Sequence, residues 1–105
     1  MDLNLFDSTL DKWAVAEEAA AEKAKSIGDE RAHSIALMKK SMYTTMLKTL
    51  GRNHPQALKG CAADLEKRRA KQLSLGDEDA ADRISRQLAC IRQVQDLIIE
   101  LGGTV

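Results

Sequence analysis

The sequence predicts an all-α fold made of two helical hairpins, and three observations lead there. No run alternates apolar and polar residues with period two, and the chain holds one proline and few β-branched residues, which argues against a sheet. Long stretches carry apolar residues at helical spacing. A short phrase, Ser26-Ile27-Gly28-Asp29-Glu30, returns as Ser74-Leu75-Gly76-Asp77-Glu78 between two such stretches. Each copy reads as the turn of a hairpin, with glycine ending one helix in the left-handed conformation and aspartate capping the next.

Four helices follow from this punctuation. The first is expected from about Ser8 to Ile27, with Asp7 or Ser8 as N-cap. Asp29 caps the second, which is expected to reach Leu50 and stop at Gly51. Asn53-His54-Pro55 opens the third, with proline in the first turn where its missing N–H costs nothing. That helix ends near Ser74. Asp77 caps the fourth, whose first turn carries Glu78, Asp79 and Asp82, favourable to the helix dipole. Gly102-Gly103 ends it after Leu101. The chain of 105 residues is then one helical domain, hairpin one spanning 8–50 and hairpin two 54–101.

Helical hairpins punctuated by Gly-Asp, with Ala32 and Ala80 three residues beyond the aspartates, resemble tetratricopeptide pairs. That family repeats at about 34 residues with shorter helices, whereas Gly28 and Gly76 lie 48 positions apart. The resemblance covers the two turns and implies only an architecture. A four-helix bundle and a short tetratricopeptide-like stack both remain open.

Helical projection gives the second helix a wide apolar arc through Ile35, Met38, Met42, Tyr43, Met46, Leu47 and Leu50. The fourth has one through Ala81, Ile84, Leu88, Ile91, Val94, Leu97, Ile98 and Leu101. Arcs of that width need more than one neighbour. They are covered either inside a bundle or by a partner.

In an antiparallel hairpin, residues equidistant from the turn face each other. Trp13 is then expected to meet Met42, a sulfur–aromatic contact. Glu17 and Lys39, each in the middle of its helix's apolar stripe, are expected to form a partly buried ion pair that fixes register, since either charge alone is costly there. The competing reading lets both side chains reach the rim separately. In the second hairpin the same rule places Cys61 opposite Cys90. They read as two small buried hydrophobes or as a redox-responsive thiol pair. Neither His33 nor His54 falls beside them, and no metal-ligand spacing occurs.

Sixteen basic and sixteen acidic side chains cancel, so no global field draws the chain to nucleic acid. The charges are nevertheless segregated. The first thirty residues carry eight acids and three bases, and no acid occurs from Arg31 to Ala63. A basic stripe is expected along the second helix, and Lys40, Tyr43, Leu47, Lys48, Arg52, Arg68 and Arg69 are the candidate partner-binding residues. No stretch approaches the roughly 20 apolar residues that span a bilayer, and the N-terminus lacks the pattern of a signal peptide. A cytoplasmic location without membrane association is expected. No nucleophile, base and orienting group can be assembled, so no catalytic residue, cofactor or metal is expected.

The function these features favour is a small protein–protein interaction module, an adaptor, chaperone-like or regulatory subunit, that binds a protein partner or self-associates as a dimer. One alternative is a nucleic-acid-associated regulator using the basic face. The other is a redox switch through Cys61 and Cys90.

Overall fold

The structure, a computed structural model, describes residues 1–104. Its elements are α1 (Leu3–Ser26), α2 (Glu30–Ser41), a π-helical turn (Met42–Met46), α3 (Leu47–Asn53), α4 (Pro55–Ser74) and α5 (Glu78–Glu100). The π turn joins α2 to α3 without interruption, so the chain forms four rods. They run up and down in sequence, with both Gly-Asp turns at one end and His54 at the other.

The repeated phrase works as the sequence suggests. Gly28 and Gly76 have φ of 77° and 79°. In the first turn, the Asp29 and Gly28 N–H groups donate to Ala24 and Lys25 carbonyls at 2.9 and 3.2 Å. In the second, Asp77 and Gly76 donate to Gln72 and Leu73 at 2.9 and 3.1 Å. This crossed pair of bonds satisfies the last carbonyls of each helix. The carboxylates of Asp29 and Asp77 then each accept an amide at 3.0 Å, from Ala32 and from Ala80. The hydroxyls of Ser26 and Ser74 each bond back one turn at 2.7 Å. Three of the phrase's five positions, the serine, glycine and aspartate, are thus local turn chemistry, while Ile27 and Leu75 point out, 70% and 67% exposed.

Two helix boundaries differ from expectation. The first helix starts at Leu3, and its N-cap is Asp2, whose carboxylate accepts the Leu5 amide at 3.0 Å. Asp7 and Ser8 lie inside it. The extra turn carries Phe6, fully buried, which supplies the energetic reason to order it. The second rod does not stop at Gly51 but continues to Asn53. Gly51 is chosen for closeness instead. A Cβ there would lie 2.6 Å from the Phe6 ring and 3.2 Å from Val94. Phe6, Gly51 and Val94 thereby bring α1, α3 and α5 to one point.

The rod containing α2 and the helix α5 are the inner pair, flanked by α1 and α4. The molecule measures 39 × 35 × 18 Å, and its four rods pack against one another as an all-α helical bundle. The helix buried most extensively is α5, through Ala81, Leu88, Cys90, Ile91, Val94, Leu97 and Ile98. Its wide apolar arc is covered within the chain, leaving Ile99 as its exposed large apolar residue.

Candidate interaction surface

Hydrogen bonding of the Thr44 and Thr45 hydroxyls marks the first site-forming feature. Thr44 donates to the Lys40 carbonyl at 3.0 Å, and Thr45 to that of Ser41 at 2.8 Å. Between them the backbone widens, and the Leu47 amide bonds the Met42 carbonyl five residues back. A π turn inserts one extra residue into a helix, which shifts the phase of everything after it by about 100°. The expected continuous arc is split by this step. Met42, Tyr43 and Leu47 turn inward, 4%, 3% and 0% exposed, while Met46 turns out at 38%.

Tyr43 and Leu47 are therefore core residues, not part of a binding face. Tyr43 also stands edge-on to Trp13, with ring centroids 5.5 Å apart and planes at 63°, and Trp13 packs against the core cluster that includes Met42. Its hydroxyl donates to Gln93 on α5. Burial and the neighbouring Cys90 thiol hold the Tyr43 phenol well above its ordinary value, and burial likewise raises Cys90. Both remain protonated over the ordinary pH range.

The expected basic stripe is not a free surface either. Lys39 reaches Glu17 at 3.0 Å, Lys40 reaches Glu18 at 3.2 Å, Lys48 reaches Asp11 at 2.9 Å and Arg52 reaches Asp7 at 2.6 Å. Four cations of the second rod thus meet four carboxylates of α1. The Glu17–Lys39 pair lies where the hairpin rule places it, with side chains 19% and 29% exposed. Arg68 pairs within α4 with Asp64 at 3.0 Å, and Arg69 donates to the Ser85 hydroxyl at 3.4 Å. The candidate cations are split between two sides of the molecule, so no common basic face brings Lys40, Lys48 and Arg52 together with Arg68 and Arg69.

Across the hairpins, Arg31 of α2 bridges Asp79 at 2.8 Å and Asp82 at 2.9 Å on the first turns of α5. The Arg86 hydrogen bond to Asp82, with that of Arg31, holds the Asp82 carboxyl below its usual range. Cys90 is 1% exposed and belongs to the core beside Tyr43; Cys61 is half-buried against the same core. Both are free thiols. Among the described residues, no group of three or more His, Cys, Asp or Glu side chains stands close enough to hold a metal, and no helix is long and apolar enough to cross a membrane.

Two concavities of similar size lie along the second rod. One, about 370 Å³, has an alanine-rich floor at Ala20, Ala32 and Ala36, and charged walls at Glu17, Lys39 and Arg86 that are already paired. The other, about 360 Å³, runs between the second rod and α5. It is lined by Met38, Met42 and Met46, with Ser41, Thr45 and Gln87. No charged side chain lines it. Three flexible thioethers at one groove make an apolar surface that adapts to differently shaped occupants. The sequence reading placed these methionines on an apolar arc; the π turn, which brings Met46 to the groove's rim, is the part it missed. The only local sequence hint of that turn is the hydroxyl-rich run Ser41 to Thr45.

No protein-family model matches this sequence, and no curated protein and no solved structure is detectably similar to it.

Proposed function

We propose that this chain is a small, non-catalytic protein–protein interaction module whose docking surface is the methionine groove between the second rod and α5. The observation that carries the reading is the co-location of Met38, Met42 and Met46 with a π turn in one open, uncharged groove. Such turns add a residue at a cost in helix regularity and recur where helices serve a function.

Site-specific photocrosslinking tests it. A photoreactive side chain at Thr45, on the groove, is compared with one at Val15, 64% exposed on α1. A discrete adduct from Thr45 and none from Val15, in cells producing the protein, supports the reading. An adduct of twice the chain mass identifies a second copy as occupant. Equal or absent labelling at both positions contradicts it.

A further inference from the structure

The charges around the methionine groove constrain what it can hold. The second rod contributes one wall, and its chain carries no acid from Arg31 to Ala63. The other wall is α5, which carries none from Arg83 to Gln95. Within the first stretch, Lys39, Lys40, Lys48 and Arg52 are neutralised by α1 on the opposite side of the rod. Those cations face away from the groove, and along these two spans its walls carry no carboxylate of their own.

One cation stands at the head of the groove. The Arg83 guanidinium crosses from α5 to α2, donating to the Ser34 hydroxyl at 3.1 Å. Ser34 precedes Met38 by one helical turn, and Arg83 precedes Gln87 by one turn, so the bridge lies one turn beyond the groove's lining at that end. The carboxylate within reach of Arg83 is Asp79, at 4.0 Å, and Asp79 is already held by Arg31 at 2.8 Å. Arg83 is thus weakly neutralised and 40% exposed. From Met38 to Met46 the rod rises about 12 Å, a little over two helical turns. The volume sits at the small end of ligand-pocket sizes, so it accepts a few side chains rather than a whole folded body.

We propose that the groove receives an acidic amphipathic helix from a partner protein, with apolar side chains at i, i+4 and i+7 among the methionines and a carboxylate one turn away against Arg83. This rests on the docking surface proposed above and adds the chemistry of its occupant. The apolar row supplies the anchor, and the arginine supplies orientation and selects against basic segments.

The four methionines provide the readout, because three line the groove and Met1 lies outside it, near Gly103. Protein labelled with ¹³C at the methionine methyls is titrated with two synthetic helices of identical leucine spacing, one flanked by glutamates and one by lysines. The proposal predicts saturable shifts at Met38, Met42 and Met46, none at Met1, and roughly tenfold tighter binding of the glutamate peptide at low salt. Arg83→Gln, which can keep the Ser34 hydrogen bond while losing the charge, should erase most of that preference with little change in melting temperature. Equal affinity for the two peptides overturns the acidic partner and leaves the docking surface standing. Absence of shifts with either peptide overturns both. Shifts that instead grow with protein concentration alone assign the groove to a second copy and overturn the acidic helix.

Discussion

In the first hairpin four carboxylates of α1 reach four cations on the rod opposite, whereas among the described residues of the second a single ion pair, Glu66–Arg92 at 3.5 Å, joins α4 to α5. The two hairpins share nearly identical turns, so the turn does not dictate how the arms are held. Their hydrophobic supply differs. On its inner face α1 offers Phe6, Leu10 and a row of alanines, a thin apolar stripe, and charges along its edges complete the contact. On α5 the buried set is broad and aliphatic, and needs little polar help. The lesson concerns charge patterning: acids gathered in one helix and bases in the next record which helices pair. They do not by themselves mark a surface for a charged partner.

Breaking each hairpin by its own means sharpens that contrast. Leu58→Ala removes the most deeply buried side chain of α4 and should cost about 2–5 kcal/mol in urea unfolding. Gly51→Ala forces a methyl against the Phe6 ring where the hairpins converge; despite alanine's better helix propensity it should cost about 1–3 kcal/mol. In the first hairpin, Glu17→Gln strands a partly buried Lys39. The pair lies between the exposed and buried classes, so about 1–2 kcal/mol is expected. A double-mutant cycle with Lys39→Met should then show favourable coupling between the two, and zero coupling would remove the pair as a register device.

Acid and alkali should act on different contacts. The folded value of Asp82 is depressed, so its contribution is present above the unfolded carboxyl value, about 3.9, and is lost as pH falls through the lower folded value. The clasp between α2 and α5 therefore weakens only below about pH 4. Tyr43 and Cys90 are raised, so their contribution is whole below the ordinary thiol and phenol values and fades as pH climbs beyond them. Melting temperature should accordingly decline from about pH 9 upward. A flat profile on the alkaline side would contradict the buried Tyr43–Cys90 contact. The smallest effect is chemical: a thiol reagent at neutral pH should label Cys61 first and Cys90 only on unfolding.

Much of this was legible in residue types. Gly28 and Gly76 could be read as turns because left-handed backbone has one cheap occupant, and Glu17 could be matched to Lys39 by counting from the turn. What escaped reading was whatever depends on contacts far along the chain. Asp2, Asp7 and Ser8 are all competent caps, and only the burial of Phe6 against Gly51 selects the first. Gly51 resembles a helix stop unless the ring it accommodates is known. The π turn leaves no periodic signature, since one inserted residue changes the phase of a helix without changing its composition. Tyr43 and Leu47, placed by the sequence on an apolar arc open to either core or partner and named as partner-binding candidates, are core.

The central claim, that the segregated charges hold α1 to the second rod, is tested most directly by exchanging them. Asp7→Arg, Asp11→Lys and Glu18→Lys on α1 set like charges against Arg52, Lys48 and Lys40 and should lower the melting temperature at low salt. Adding Arg52→Asp, Lys48→Asp and Lys40→Glu to the same chain restores opposite signs across every rung. The account predicts recovery of most of the lost stability in the sixfold variant. If that variant is as unstable as the two threefold changes summed, the ladder does not hold the hairpin.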